Sequence, residues 1–521
     1  MAKAIEATGN DSATTGRWVL AATILGSSIA FIDGTVVNVA LPVLQPELNA
    51  TAADVQWVIE GYTLFLAALI LVGGSLGDRY GRRRIFALGI VIFTLASVWC
   101  GLAPGVGQLI LARAVQGIGG ALLVPSSLAI ISATFKGEAR GRAIGTWSGF
   151  TAITSALGPV LGGWLVEHVS WRWVFFINVP LAIVVLAIVV LRVPESRDPS
   201  VTARLDYLGA VLATIGLGAL VFGLIEAGNR GLSDPLVLAG VGIGVIALAA
   251  FLVVESRSAA PMMPLNLFSS RTFSGANLLT LLLYAGLGGA LFFFPFNLQQ
   301  VQGYTPTEAG LALLPFTALM FSLSRWAGGL VGRYGAKRPL IVGPLIAAAG
   351  FALYALPGVG GSYWTTFLPA VVVLGLGMTI TVAPLTTAVM SAVDASHSGV
   401  ASGINNAVSR SAGLLAIALF GIVMLGVFGS SLEQQLNQLA LAPEQRQAII
   451  EQRSRLAAIE LPQDVSTEAR QQIEQAIDGA FVDGFRAVML LGAALALLSA
   501  GSAAWLIDGK IAVKPHEEPR T

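Results

Sequence analysis

Stretches of roughly 20 mostly apolar residues, the length an α-helix needs to cross a hydrocarbon core of about 30 Å, recur along this 521-residue chain. Fourteen spans are predicted, at 18–41, 54–76, 85–103, 107–135, 141–166, 171–193, 205–227, 234–255, 273–300, 305–331, 339–357, 363–391, 399–428 and 484–507. The chain is therefore expected to be an all-α polytopic membrane protein. Composition agrees, because only 11% of the residues are charged against about 25% in soluble domains. The first span does not read as a cleaved signal sequence: it is too long, Asp33 interrupts it, and no basic segment leads into a cleavage site.

Several function classes drop out on the same grounds. A net charge of +1 gives no reason to expect nucleic acid. The lone Cys100 permits no internal disulfide. His168, His397 and His516 lie far apart, without acidic or cysteine neighbours at ligand spacing, so no metal site is expected. A Gly-x-x-x-x-Gly-Lys-Ser/Thr loop is missing, so no nucleotide is implied. The expectation is a non-enzyme without cofactors.

Orientation follows from lysine and arginine placement, since basic loops stay in the cytoplasm. With both termini inside, only Arg172, Arg230, Arg446, Arg453, Arg455 and Arg470 fall outside, four of them in one long loop where the charge rule carries little weight. Two basic phrases then face the cytoplasm, GSLGDRYGRRR at 74–84 and its near repeat GGLVGRYGAKR at 328–338. Each follows the second span of a six-span group. The chain thus reads as a duplicated half, the construction of transporters whose two bundles rock around a central site. The predicted divisions are a tail 1–17, a six-helix bundle 18–193, a linker 194–204, two inserted helices 205–255, a linker 256–272, a second bundle 273–507 and a tail 508–521.

GSLGDRYGRRR resembles the cytoplasmic signature between spans two and three of the major facilitator superfamily. Together with FIDGTVVNVALP at 31–42, LARAVQGIGGA at 111–121 and SALGPVLGGWL at 155–165, the fourteen-span count is similar to its drug:proton antiporter branch, the QacA/EmrB type. The resemblance covers nearly the whole chain.

An ionised side chain at mid-bilayer costs about 2.5 to more than 10 kcal/mol, so each one kept there points to function. In the first bundle, Asp33 and Glu60 are the acids well inside a span. At 1.5 Å rise per residue, Asp33 lies roughly 12 Å below the outer surface, and Glu60 and Arg113 roughly 9 Å. All three share a layer, where Asp33 or Glu60 beside Arg113 would titrate and let a proton and a cationic substrate compete for one negative charge. A neutralised structural pair is the alternative. The resemblance implies proton coupling for the first-span aspartate, proton handling for Arg113 and recognition of cationic drugs for the span-2 acid, Glu60. Individual roles stay open.

In the motif at 155–165, Gly158, Gly162 and Gly163 around Pro159 allow close helix approach and a bend. The family associates this motif with export; an ordinary packing seam is the bland reading. Asp78, with Gly74, Arg79, Gly81 and Arg82, is expected to cap a helix of the opposite bundle and bond the neighbouring arginines in the arrangement closed toward the cytoplasm. Gly332 stands at the matching place in the second copy and cannot do so.

The second bundle holds no acid at mid-span; it has Arg325 toward one end of its second span and Arg410 near the middle of its fifth. These either pair with first-bundle carboxylates or meet an anionic group. Candidate substrate contacts are Asp33, Asn38, Trp57, Glu60, Tyr62, Tyr284, Phe292 and Arg410, the aromatics serving as cation-binding faces or apolar walls, with core packing as the alternative. Residues 430–483 carry four arginines against nine acids, and Ile473, Ile477 and Phe481 recur at helical spacing. A helical hairpin over the outer mouth is expected there, bounded by Pro443 and Pro462; gating, docking an envelope partner and simple connection stay open.

The resulting expectation is a monomeric, inner-membrane exporter that trades protons for an amphipathic, cationic or neutral compound by alternating access. The alternative is export of an anionic or zwitterionic metabolite, antibiotic or lipid-like molecule through Arg410. A non-transporting receptor or scaffold is the remote one.

Overall fold

The structure is a computed structural model and describes residues 9–197, 206–258, 261–394, 398–461 and 465–508. The tail ends, parts of both linkers, Pro462, His397 and His516 lie outside the described residues. Everything described is helix or connection, as lipid demands of a chain that must satisfy its own backbone.

Thirteen helices among the described residues are long and apolar enough to cross a membrane. The first bundle consists of α1 (Gly9–Glu47), α2 (Ala52–Tyr80), α3 (Arg82–Leu102), α4 (Val106–Thr134), α5 (Gly137–His168) and the broken pair α6 (Trp173–Phe176) and α7 (Asn178–Arg192). A hairpin of α8 (Tyr207–Arg230) and α9 (Pro235–Arg257) follows. The second bundle contains α10 (Arg271–Phe296), α11 (Pro306–Ala312) with α12 (Leu314–Tyr334), α13 (Lys337–Tyr354), α14 (Tyr363–Thr366) with α15 (Leu368–Ser391), α16 (Ser398–Leu436) and, after the short α17 (Pro443–Glu451), α18 (Thr467–Leu506). The predicted span at 339–357 corresponds to α13, which has 18 residues, begins with Lys337 and Arg338, and packs against α15 and α18.

Three spans expected to be continuous are interrupted, after Phe176, Ala312 and Thr366. In each, a proline stands in the first turn of the helix that resumes, at Pro180, Pro315 and Pro369. Proline lacks the N–H that would bond back across the joint, and its ring crowds the preceding turn.

The two bundles meet at one end and part at the other. At the closed end Gln299 donates to the Val39 carbonyl at 2.9 Å, Gln300 to the Pro42 carbonyl at 3.2 Å, and the Thr307 amide to Glu167 at 3.1 Å. Gly163 of α5 lies against the backbone of Pro306, and Gly310 of α11 against that of Pro159. At the other end, Gly145 and Gly149 of α5 and Gly328, Gly329 and Gly332 of α12 face open space. Both basic phrases lie at this open end.

Helix α8 packs across the seam between α2 and α16, while α9 packs mainly on α8 and turns Leu236, Ile243, Ile246 and Leu252 outward. The segment between α16 and α18 folds back over the closed end, where Gln45 donates to the Arg455 carbonyl at 3.0 Å. Both flanking helices run well past the predicted limits of 428 and 484. Ile473, Ile477 and Phe481 are buried on one face of α18, in the core that also contains Phe428, Leu432 and Leu436.

Candidate functional site

Five helices, α1 to α4 and the start of α7, build one polar knot inside the first bundle. Asp33 of α1 pairs with Arg113 of α4, and both are fully buried. Gln116, one helical turn beyond Arg113, accepts from the guanidinium at 2.7 Å and donates to Asp33 at 2.8 Å. Asn178, at the start of α7, donates to Asp33 at 3.1 Å and to Ser97 at 3.0 Å. The Arg113 Nε donates to the Val58 carbonyl of α2 at 3.0 Å, and its guanidinium lies 4.4 Å from the Tyr62 ring centre. The Asp33 carboxylate thus receives three protein donors, one of them carrying the opposite charge. Removing either partner would strand the other as a buried charge.

Glu60 does not join this knot. Val58 and Glu60 are two residues apart, so their side chains leave α2 about 200° apart. The Val58 carbonyl serves Arg113, whereas Glu60 shares its face with Gln56, Leu64 and Ala67, the face that meets α8 and α16. Glu60 is fully buried there, and neither carboxylate oxygen has a hydrogen-bond partner among the described residues. Of the two acids, the pairing with Arg113 belongs to Asp33.

A cavity of about 660 Å³ lies between the bundles on the other side of α1. Thr35 and Asn38 line it from α1, Ser148 and Ser155 from α5, Phe316, Thr317 and Met320 from α12, and Thr379 from α15. Among the described residues no charged side chain lines it, and Asp33 stands outside its wall. Its size suits a drug-like molecule, with hydroxyls and one amide as orienting groups. A smaller pocket of about 230 Å³ adjoins it at Val382, bordered by Tyr284, Ser402, Asn405, Asn406 and Ser409.

The remaining predicted contacts scatter. Phe292 is buried against Phe293 and Phe296 in the second bundle, and Trp57 packs on Phe222 of α8. Tyr62 is buried in the first bundle beneath Arg113. Arg410 is partly buried on α16 and forms no hydrogen bond or ion pair among the described residues; Arg325 is exposed. Sequence reasoning does not single out Gln116, Asn178 and Ser97. Their one signal in the sequence is an amide or hydroxyl inside an apolar span, with Gln116 one turn from Arg113.

At the open end Asp78 accepts from Arg82 at 2.8 Å and forms no hydrogen bond or ion pair across the cleft among the described residues. Glu195, just past α7, organises the phrase from within the same bundle: its carboxylate accepts the Arg83 amide at 3.0 Å and lies 3.7 Å from Arg84. Gly81 has a φ of +113°, a backbone conformation open to glycine, and the Glu195 carboxylate sits where a side chain would go. Arg79 reaches over Tyr80, and Gly74 faces Pro125 of α4 with room for a Cβ, which would meet it at 3.6 Å. Gly158 and Gly162 seat α5 on Thr35 and Val36 of α1, beside Pro159, which lies within the helix.

Comparison with known proteins adds family and kin. The model of the Major Facilitator Superfamily matches residues 23–417. A tetracenomycin C resistance and export protein of Streptomyces glaucescens is 33% identical over 492 residues, covering 93% of this chain and 90% of that protein. A multidrug resistance protein, Stp, of Mycobacterium tuberculosis is 35% identical, covering 83% and 80%. A puromycin resistance protein of Streptomyces alboniger is 38% identical, covering 78% and 82%. Among solved structures, a bacterial homolog of the human lysosomal transporter Spinster, inward-facing and occupied, superposes with a TM-score of 0.63 at 18% identity, covering 94% of this chain and 96% of that one; at that identity the likeness is of fold alone.

Proposed function

Since the chain belongs to the major facilitator superfamily, we propose that it is a proton-coupled exporter that extrudes amphipathic, cationic or neutral compounds by alternating access. It is a multi-pass membrane transporter whose relatives carry drug-resistance and export names. The finer reading adds fourteen spans, with α13 as the span outside the thirteen, and termini on the cytoplasmic side of a bacterial inner membrane. It also makes the unit a monomer that needs no cofactor beyond the proton gradient.

One observation carries the mechanism. Helix α1 holds Asp33 on one face and Thr35 and Asn38 on another, so the buried ion pair and the cargo cavity share one rigid element. Residues two apart on a helix diverge by about 200°. A proton taken up at Asp33 releases Arg113, and the shift of α1 that follows alters both the cavity wall and the Gly158 and Gly162 contacts with α5. Cargo binding acts on the same helix from the other side. Moving one charge across 100 mV supplies about 2.3 kcal/mol.

A second reading rests on Arg410, a partly buried cation of α16 that no described residue pairs: export of an anionic or zwitterionic compound. Efflux from proteoliposomes under a pH gradient, with cationic, neutral and anionic fluorophores compared, decides. Coupled efflux of cationic or neutral dyes that stops in Asp33→Asn supports the first reading. Efflux confined to anions and lost in Arg410→Ala supports the second, and uphill efflux at full rate with the proton gradient collapsed refutes both.

A further inference from the structure

A third chamber, of about 400 Å³, lies at the seam of the bundles behind the α8–α9 hairpin. Leu217, Leu248 and Phe251 form its hairpin wall, Leu71, Ile404 and Val408 the wall toward the bundles. Met262 and Met263 border it, flexible side chains that adapt to varied apolar shapes. Leu278, which also lines it, is 39% exposed, an apolar side chain left uncovered on a predicted membrane helix. The chamber sits in the half of the molecule that carries the basic phrases.

Its back wall is the helix that also borders the polar pocket. Ile404, Val408 and Ser411 of α16 face the apolar chamber, while Ser402, Asn405, Asn406 and Ser409 face the pocket that adjoins the central cavity. A hydrogen-bonded latch joins α10 and α16 between them: Asn405 donates to Asn277 at 3.1 Å and to Thr280 at 2.7 Å. Asn277 lines the chamber and Asn405 the pocket. The Asn277–Asn405 pair thus connects the lining of the apolar chamber to that of the polar pocket, which shares Val382 with the central cavity.

We propose that this chamber is a binding site for the apolar part of a neutral, membrane-dissolved amphipath, which passes the Asn277–Asn405 latch to reach the central cavity. The proposal rests on the export reading and narrows it to substrates taken from the lipid. Charge favours this occupant over a phospholipid. None of the described residues lining the three compartments is charged, whereas a phosphate headgroup calls for lysine or arginine. A neutral polar end finds amides and hydroxyls instead.

Nile red, neutral and lipid-partitioning, serves as the probe with the full-length protein, in nanodiscs for binding and in proteoliposomes for efflux. Leu217→Trp and the milder Ala213→Leu fill the chamber from α8, far from the Asp33 knot. Each is expected to weaken Nile red binding by about five-fold or more and to slow its efflux alike, with thermal stability showing that the variant is folded. Asn405→Leu is expected to keep binding and to lose efflux. Binding and efflux unchanged in both filled variants, with wild type exporting the dye, overturn this site and leave the export reading standing. Wild type that binds Nile red in the chamber but never exports it overturns the export reading; wild type that does neither overturns both. A phospholipid that co-purifies with wild type and is lost in Leu217→Trp, with Nile red binding unchanged, assigns the chamber to lipid and refutes the proposal. Equal loss of binding and efflux in Asn405→Leu refutes the latch.

Discussion

Replacing Gly163 by valine should drive the protein out of the arrangement in which α5 and α11 touch. A Cβ on Gly163 would stand 2.7 Å from the Pro306 carbonyl carbon and 2.8 Å from the Thr307 Cα, both backbone atoms that no rotamer change can move aside. Carbon atoms at rest prefer about 3.5–4.0 Å, so the two helices must separate by roughly 1 Å to admit it. Overpacking of this kind costs about 1–3 kcal/mol. The cost falls only on the state in which the helices meet, so the equilibrium shifts toward the state in which they part by roughly 5- to 150-fold. Gly310→Val tests the same contact from the other bundle, since its Cβ would meet the Pro159 carbonyl carbon at 2.7 Å. Spin labels on cysteines at Val169 and Val359, both exposed near the closed end, report the opening as a longer-distance population in pulsed electron resonance. Cys100 is fully buried and stays in place. Folded variants with the wild-type distance distribution would refute the assignment of this contact as the seal.

Asp33→Asn strands Arg113 as a buried unpaired cation and should cost about 3–5 kcal/mol, read as a lowered melting temperature. Adding Arg113→Gln should restore stability and leave uphill transport absent, which separates the structural from the coupling role in a pH-gradient efflux assay. Asp78→Asn removes a partly exposed pair with Arg82 and should change stability by less than about 1 kcal/mol, leaving the melting curve in place. Export in that variant should nonetheless slow if Asp78 latches the opposite bundle in the cytoplasm-closed state. Glu60→Gln keeps the shape of a side chain whose oxygens have no partners among the described residues, so folding should be unaffected while the preference for cationic over neutral dyes falls in competition efflux.

The Asp33–Arg113 pair was legible because charge inside an apolar span is costly and helix rise converts sequence position into depth. Azimuth was not legible to the same degree. Sequence position sets Glu60 near the layer of Arg113, yet its face of α2 meets α8 and α16, and only the packing of α4, α8 and α16 around α2 settles which face meets which neighbour. Gln116, Asn178 and Ser97 carry little signal because a neutral amide or hydroxyl in a span has many bland explanations, a bond to its own helix above all. The proline interruptions near Ile177, Leu313 and Phe367 were written in the sequence, but hydropathy is blind to a missing N–H. Glu195 illustrates the opposite limit: a lone acid beyond a span gains its role only when Gly81 brings the chain around it.

The two basic phrases repeat one pattern, but the bundles that carry them differ. In the first, Asp33 and Arg113 sit in a closed knot on one side of α1, while the cavity on its other side has no ionisable lining among the described residues. A proton and a cationic cargo competing for one carboxylate would require the cargo to touch Asp33, and in this arrangement Asp33 is fully buried and apart from the cavity wall. On the export reading, coupling passes through movement of α1 rather than through shared occupancy. The second basic phrase differs in the same sense: Gly332 of α12 faces open space where Asp78 of α2 bonds Arg82, so the half with the Asp33–Arg113 pair is the one with an acid at that place. The inserted hairpin then occupies the place where two otherwise similar bundles would leave Glu60 and the α2–α16 seam facing lipid. A carboxyl group with no hydrogen-bond partner among the described residues lies buried at that seam, which α8 covers. Shortening or deleting α8–α9 should therefore expose Glu60 to the bilayer, and a Glu60→Leu substitution should restore the membrane insertion that the deletion loses; deletion protein that inserts normally with Glu60 intact would show that the hairpin is not needed to shield that carboxyl group.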